Sequence, residues 1–135
     1  MQHTTLEEYQ EMTRSRHKYN NKPVVDEGMR FDSKKEYARW RELLLLQKAG
    51  EISRLERQKK FELQPAFEHN GKKYRAVNYY ADFYYYDNTE DRRHCNGSNS
   101  RWVIEDVKSP ITRKNQVYQL KRKRMLFLGN EIKEI

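Results

Sequence analysis

The stretch RWVIEDVKSP, residues 101–110, joins a short apolar strand to two carboxylates, a lysine and a terminating proline. Successive side chains of a strand point to opposite faces, so Asp106 and Lys108 share one face. Pro110 ends the strand because proline has no N–H to donate to a neighbouring strand. We therefore predict that Asp106 and Lys108 are neighbours. Glu105 points to the opposite face, and we expect it to be structural and paired with an arginine on a packing helix.

A second carboxylate lies in the aromatic run VNYYADFYYY, residues 77–86. This run is rich in strand-forming residues and is predicted to be a central strand. Asp82 lies at its middle and shares a face with two of its tyrosines, where a lone carboxylate is costly unless something binds it. The chain then returns to the strand that carries Asp106. We therefore expect both carboxylates and the ammonium of Lys108 in one place.

These three side chains suit metal-dependent phosphodiester chemistry. Two carboxylates with open coordination positions are what Mg²⁺ requires when it also holds water and phosphate, and Mn²⁺ is expected to substitute for it. Lys108 can orient or deprotonate a water and offset charge on the reacting phosphate. The structural alternative is an ordinary ion pair between Asp106 and Lys108 at a strand end, which usually contributes little to stability.

The clearest element elsewhere is a helix over residues 33–49, within FDSKKEYARWRELLLLQKAGEI. Ser33 is its predicted N-cap, and Glu36 is the reciprocal half of a capping box. An apolar stripe at helical spacing follows, and Gly50 is the predicted stop.

Turn and strand signals complete the predicted fold. Asn70-Gly71 lies between two short strand-like runs and predicts a tight hairpin. Helical spacing returns over residues 112–128 with Gly129 as a stop, and EIKEI, residues 131–135, is a predicted edge strand. The fold class is therefore α/β, with a mixed, mostly antiparallel central sheet of about five strands flanked by two main helices.

The length of 135 residues indicates one domain. Residues 1–30 are polar and are predicted to be a mobile arm, with a short helix over Thr5–Arg16 as the alternative. Residues 31–135 form the predicted domain, in which residues 87–100 are a polar loop.

The chain is basic, with 28 Lys and Arg against 20 Asp and Glu. Residues 101–135 hold nine basic and four acidic side chains, so positive charge is concentrated there. Such an asymmetric field favours a polyanion, most simply nucleic acid, and a solvated basic surface is the alternative.

No apolar run is long enough to span a membrane and no secretory signal pattern opens the chain, so we expect a cytoplasmic protein without a membrane partner. Its single cysteine, Cys95, cannot form an internal disulfide, which agrees with a reducing compartment. Together with His94 it supplies too few ligands for zinc.

Asp82 and the triplet Asp106-Val107-Lys108, preceded by Glu36 on a first helix, resemble the PD-(D/E)xK nuclease superfamily. The segments FDSKKEYARWRELLLLQKAGEIS, FELQPAF, NGKKYRAVNYYADFYY and WVIEDVKS resemble a family of small phage and prophage proteins known as a domain of unknown function, DUF1064. The pattern SKKE, LQP, YYADF and EDVK is also similar to that of the TnsA transposon-end endonuclease. The resemblance covers residues 30–128.

The resemblance implies a restriction-endonuclease-like core in which Asp82, Asp106 and the Val107 carbonyl bind the metal. It makes Lys108 the residue that orients or activates water, and Glu36 a further acidic ligand or water-holding group. Ala81 stands where the superfamily usually has a proline before the first aspartate.

Residues around this centre are predicted to bind the sugar-phosphate backbone, which gives salt-dependent affinity without sequence preference. The predicted members of this track are Lys34, Lys35, Thr112, Arg113, Lys114, Tyr118 and Lys121. Gln64, in FELQP, is a further candidate for the metal cleft.

The implied activity is Mg²⁺-dependent hydrolysis of DNA phosphodiester bonds. Small phage nucleases of the superfamily often cut branched DNA as dimers, so the resemblance implies a Holliday-junction-resolvase-like homodimer. A nicking or site-directed nuclease subunit of a larger complex is one alternative. A catalytically silent DNA-binding protein on the same fold is another, and RNA as the substrate stays open.

Overall fold

A computed structural model describes residues 22–97 and 99–135 of the chain. The described residues divide into two units, with the boundary between Ala38 and Arg39. In chain order the elements are β1 (Val24–Asp26), β2 (Met29–Phe31), α1 (Lys34–Lys48), β3 (Ile52–Gln64), β4 (Phe67–His69), β5 (Lys72–Tyr74), β6 (Val77–Asp87), β7 (Trp102–Asp106), α2 (Pro110–Arg113), α3 (Gln116–Phe127) and β8 (Ile132–Glu134). No helix in the described part is long and apolar enough to cross a membrane.

The described part of the first unit contains a hairpin and the start of α1. β1 and β2 pair antiparallel across a turn in which Glu27 and Gly28 have positive φ angles of 49° and 77°. This turn matches the twist of a two-residue hairpin, so residues 24–31, most of which the sequence assigned to a mobile arm, pair with each other. The predicted helix over Thr5–Arg16 lies outside the described residues.

The predicted first helix is confirmed, and Ser33 is its N-cap. Ser33 Oγ accepts a hydrogen bond of 3.1 Å from the backbone N–H of Glu36. The Glu36 carboxylate accepts a hydrogen bond from the N–H of Asp32, at 3.0 Å. Gly50 follows the helix with a φ of 82°, which favours glycine.

The central sheet of the second unit has four strands in the order β3-β6-β7-β8. β3, β6 and β7 pair antiparallel, whereas β7 and β8 pair parallel. The mixed, mostly antiparallel sheet and its C-terminal edge strand are therefore as predicted. The sheet is smaller than the predicted five strands because β4 and β5 form a separate hairpin about Asn70-Gly71, whose φ angles are 50° and 76°.

Two apolar clusters cover opposite faces of this sheet. The first cluster, on the α3 side, contains Leu63, Tyr79, Ala81, Ile104, Tyr118, Met125 and Ile132. The second cluster, on the side of the α1 segment from Arg39 onward, contains Leu43, Ile52, Phe83, Tyr85 and Val103. Val103 and Ile104 are adjacent in β7 but belong to different clusters, which confirms the alternation predicted for this strand.

The second predicted helix, over residues 112–128, is divided in two. Ser109 caps the short α2, in which Pro110 takes the first position. The side chain of Asn115 then accepts hydrogen bonds from Val117 N at 3.0 Å and Tyr118 N at 3.1 Å and so starts α3. An asparagine cap in the middle of a helical pattern thus overrides the pattern.

The loop between β6 and β7 is tied to the sheet by Asp87, which is fully buried. Its carboxylate accepts hydrogen bonds from the backbone N–H groups of Thr89, at 2.8 Å, and His94, at 3.0 Å. Burial would raise the pKa of Asp87, but these donors and the Thr89 hydroxyl lower it to about 2. Cys95 packs against the second cluster. The polar loop therefore contributes to the core.

A buried ion pair joins α1 to the sheet. Arg39 donates from Nε and Nη2 to the two carboxylate oxygens of Glu105, both at 2.7 Å. The Tyr85 hydroxyl also donates to Glu105, whose side chain is fully buried. The predicted structural role of Glu105, with an arginine partner on a packing helix, is confirmed.

We predict that Glu105→Gln lowers the free energy of unfolding by about 3 kcal/mol, because the buried Arg39 guanidinium loses its counter-charge. Urea unfolding followed by circular dichroism measures this loss. Glu131→Gln is the matched control, since Glu131 is exposed, and it should change stability by less than about 0.5 kcal/mol. Equal losses in the two variants would contradict the role of the ion pair.

We also predict that Asp87→Ala destabilises the fold by about 2 kcal/mol, because the buried donors of the β6–β7 loop lose their acceptor. The control is Asp91→Ala in the same loop, whose side chain is 61% exposed. Thermal unfolding of the two variants compares them directly. If the β6–β7 loop made no contribution to the core, neither substitution would change the melting temperature.

Candidate metal-binding carboxylate site

Asp82 and Asp106 lie on neighbouring antiparallel strands. The register pairs Phe83 of β6 with Glu105 of β7, so the next position along the ladder brings Asp82 beside Asp106. β8 supports Asp106 from the other side, since Ile135 N donates to the Asp106 carbonyl at 2.9 Å. The two carboxylates are thus positioned by backbone pairing of three strands.

Asp106 is fully buried. The Tyr79 hydroxyl donates to its Oδ2. Lys108 Nζ lies 3.2 Å from its Oδ1, within ion-pair distance but outside hydrogen-bond geometry. Oδ1 is therefore a buried carboxylate oxygen that accepts no hydrogen bond from any described group, which makes it a candidate contact for an ion or water.

Asp82 is half-buried and is held by a backbone donor. Val107 N–H donates to its Oδ2 at 2.8 Å. Gln58 Nε2 makes a long contact of 3.4 Å to its Oδ1. Gln58 itself has a φ of 52°, so the strand opposite Asp82 is locally irregular. The Asp82 carboxylate is oriented on one oxygen and loosely held on the other.

The electrostatics of the two carboxylates are coupled. Burial raises the pKa of Asp106, and so do hydrogen bonding to Asp82 and the charge of Asp82, to about 8. Lys108 and the Tyr79 hydroxyl act in the opposite direction. Burial and the nearby Asp106 raise the pKa of Tyr79 well above its usual range, which keeps the phenol a donor. The pKa of Asp106 therefore lies above that of an ordinary aspartate, because burial and the charge of Asp82 disfavour its ionised form.

The same pair fits a hard divalent cation. Such a cation would neutralise both carboxylates and would contact Oδ1 of Asp106, which accepts no hydrogen bond from a described group. Within residues 22–97 and 99–135, no group of three His, Cys, Asp or Glu side chains is arranged to hold a metal. The carboxylate pair would thus leave positions open for water, a backbone carbonyl and phosphate, which is typical of Mg²⁺ sites.

Lys108 is placed to act beside the pair. Its Nζ lies 5.0 Å from the centre of the Tyr118 ring, which holds the ammonium by a cation–π contact. Its side chain is 22% exposed, so it reaches from the buried Asp106 towards solvent. Tyr118 itself is buried, contrary to the prediction that it lines an exposed backbone track, because its ring packs in the first cluster.

Two residues that contact the carboxylates, Tyr79 and Gln58, were not predicted from the sequence. Tyr79 and Ala81 of β6 belong to the first cluster, whereas Phe83 belongs to the second, so the face presented by alternate residues changes at Asp82. A strict period of two would place Tyr79 and Asp82 on opposite faces. The change of face coincides with the positive φ of Gln58 on the neighbouring strand, and no sequence pattern predicts this conformation.

Other predicted site residues are placed as follows. Val107 contacts Asp82 through its N–H, and its carbonyl as a metal ligand stays a prediction. Glu36 is 3% exposed within the first unit, and its role in the metal site also stays a prediction. Gln64 instead lines an apolar groove of about 430 Å³ with Leu63, Val77, Val117, Leu120, Lys121 and Arg124.

The predicted backbone track is partly exposed. Lys34, Lys35, Arg113 and Lys114 are exposed, whereas Thr112 and Lys121 are half-buried. Arg113 pairs with Glu134 at 3.0 Å, and the Thr112 hydroxyl bonds with that of Ser109 at 2.9 Å. These two side chains are partly engaged within the chain.

One family model matches the chain, described as a protein of unknown function (DUF1064), over residues 16–130. Neither the curated proteins nor the solved structures gave a match. Because the family model covers most of the 135 residues, the chain belongs to the DUF1064 family.

Proposed function

We propose that this protein is a metal-dependent endonuclease that hydrolyses DNA phosphodiester bonds. The observation that carries the proposal is the pairing of buried Asp106 with half-buried Asp82 beside Lys108, with one Asp106 oxygen left without a hydrogen bond. A helix followed by antiparallel strands that bear D and DxK supports a restriction-endonuclease-like core of the PD-(D/E)xK type. The net charge of +8 supports a polyanionic substrate.

Each side chain has a separate task in the proposed reaction. Asp82 and Asp106 would hold the cation, which would supply Lewis acidity and lower the pKa of bound water. Tyr79 fixes the orientation of Asp106 through its hydroxyl. Lys108 orients the attacking water or the scissile phosphate and offsets negative charge as it develops. The Val107 N–H fixes Asp82, which keeps the two carboxylates together.

The proposed substrate is branched DNA, cut by a homodimer. Two strands related by a two-fold axis require two active sites, and a dimer supplies them. The support for this part is the superfamily resemblance and not a particular residue. A nuclease subunit that acts within a larger complex would use the same carboxylate pair.

We predict that Asp106→Asn and Lys108→Ala each reduce Mg²⁺-dependent cleavage by about 100-fold or more, because each removes a group that acts on the reacting phosphate. The assay uses a labelled four-way junction and a linear duplex, with Mg²⁺ and with EDTA. Glu131→Gln is the control and should cut as the wild type does.

Metal-dependent cutting that survives Asp106→Asn would refute the site. Preference for the junction would support the resolvase-like substrate, and equal rates on both DNAs would refute it. Salt-sensitive binding without cutting by the isolated wild type would favour a silent DNA-binding protein or a complex-dependent nuclease.

The raised pKa of Asp106 gives a second test, through stability. The folded state binds one proton more than the unfolded state between the ordinary pKa of an aspartate and about 8, so wild-type stability falls as pH rises through this window. In EDTA, the wild-type melting temperature should therefore fall by several degrees from about pH 5 to about pH 8. Asp106→Asn should flatten this dependence, because the amide cannot titrate.

Adding Mg²⁺ at about pH 8 should then raise the melting temperature of the wild type but not that of Asp106→Asn, since only the wild type exchanges a proton for the cation. Lys133→Gln, a change on the neighbouring strand β8, controls for the loss of a charge near the sheet edge. An identical Mg²⁺ shift in Asp106→Asn would show that the ion binds elsewhere.

A further inference from the structure

The sheet face that carries Asp106 also carries a cluster of partly exposed aromatic rings. The Tyr84 and Trp102 rings stack with centroids 4.8 Å apart and planes 11° from parallel. Tyr86 meets Trp102 edge-on at 5.2 Å. Tyr84 also packs against the first cluster, so this aromatic surface continues the face that carries Asp106.

Cations lie over these rings. The guanidinium carbon of Arg54 is 6.0 Å from the Trp102 ring centre, and Lys59 Nζ is 5.3 Å from that of Tyr84. Lys59 also pairs with Glu56 at 3.5 Å. Among residues 22–97 and 99–135, no carboxylate forms an ion pair with Arg54, so its charge is available to a ligand.

Arg54 lies in a β-bulge of β3, and this bulge places its guanidinium over the Trp102 ring. The pairing of β3 with β6 shifts register between Ser53 and Glu56, and Arg54 has a φ of 55°. This conformation is uncommon for a residue other than glycine, and such strain is concentrated at functional sites. The bulge is held from the other side, where Leu55 N donates to Gln47 Oε1 at 3.0 Å and Leu55 packs against the second cluster.

The rings and the cation border an open cavity of about 420 Å³. Its lining residues are Ser53, Arg54, Tyr86, Asn88 and Trp102, without a carboxylate. The Asn88 side chain is fixed, since it accepts from Ser53 Oγ at 3.2 Å and donates to the Gly50 carbonyl at 3.2 Å. The cavity has the size and the aromatic walls that suit one planar heterocycle. Its cation and its fixed amide suit the anionic backbone and the polar edge of such a ligand.

We propose that this cavity binds an unpaired nucleobase of the substrate, with Trp102 as the stacking surface and Arg54 as the contact to the base or its phosphate. The proposal rests on the proposed nuclease function and adds to it the class of substrate, a DNA with a single-stranded segment next to the cut. Trp102 and Asp106 lie four positions apart on one face of β7, about 13 Å along the strand. That distance spans about four stacked nucleotides.

Binding of a fluorescein-labelled single-stranded oligothymidylate, followed by anisotropy in EDTA, tests the proposal without cleavage. Trp102→Ala should weaken single-strand binding about tenfold, because the base loses its stacking partner, and should change binding to a hairpin duplex by less than about twofold. Trp102→Phe should keep most of the affinity. Arg54→Gln should weaken binding. It should also reduce the slope of the logarithm of the binding constant against the logarithm of the salt concentration by about one.

The chain offers a matched control on the β4–β5 hairpin. There Tyr74 stacks on Phe67 at 4.8 Å, and Lys72 lies 5.1 Å from the Tyr74 ring. Tyr74→Ala removes the same kind of aromatic and cation pair at a different place and should leave single-strand affinity unchanged. Equal losses in Tyr74→Ala and Trp102→Ala would overturn the proposal.

A direct measurement keeps the proposal testable if Trp102→Ala folds poorly. The chain has two tryptophans, so in Trp40→Phe the emission reports on Trp102. Oligothymidylate should quench this emission, because the base stacks on the ring. Wild-type protein that binds no single strand, or binding without quenching, would overturn the proposal.

The outcomes separate this inference from the nuclease function. Single-strand affinity that depends on Trp102, in a protein that cuts no DNA by itself, would support the nucleobase site and refute a nuclease that acts alone. Cleavage that depends on Asp106, with single-strand affinity indifferent to Trp102→Ala, would support the nuclease and refute the nucleobase site.

Discussion

The structure of the second unit depends on the burial of two adjacent carboxylates in one strand. Glu105 and Asp106 both lie fully buried in β7, one on each face of the sheet. Burial of an ionised carboxylate is costly unless opposite charge and hydrogen-bond donors surround it. Each face of the sheet therefore has to supply donors or positive charge for its carboxylate, and the two faces supply different numbers of hydrogen bonds. This difference separates the structural residue from the candidate catalytic one.

On the α1 face the charge is fully satisfied. Arg39 meets Glu105 with two parallel hydrogen bonds of 2.7 Å, and a tyrosine adds a third donor. On the α3 face, Asp106 has a tyrosine donor and an ammonium at ion-pair distance, but one oxygen accepts no hydrogen bond from a described group. Its other neighbour, Asp82, is also acidic. Two neighbouring carboxylates with few donors favour a nearby cation, which would offset their mutual repulsion.

The sheet face that carries Asp106 extends to a second chemical surface. At one end of β7 lies the carboxylate pair, and at the other end Trp102 and its aromatic neighbours lie under Arg54. The proposed cation site and the proposed stacking surface on one face would be complementary to the two parts of a nucleotide, its phosphate and its base. The spacing follows from strand geometry, since both features are fixed to the same backbone.

The amino-acid sequence was sufficient for features that depend on local periodicity. Strand alternation placed Asp106 and Lys108 together and Glu105 opposite an arginine, and a cap and a glycine bounded α1. The pairing of β3 with β6 introduced the rest: the positive φ of Gln58, the change of face at Asp82 and the tyrosine that reaches Asp106. These features come from strain and register between strands distant in sequence, where packing of both faces outweighs the preference of any single residue.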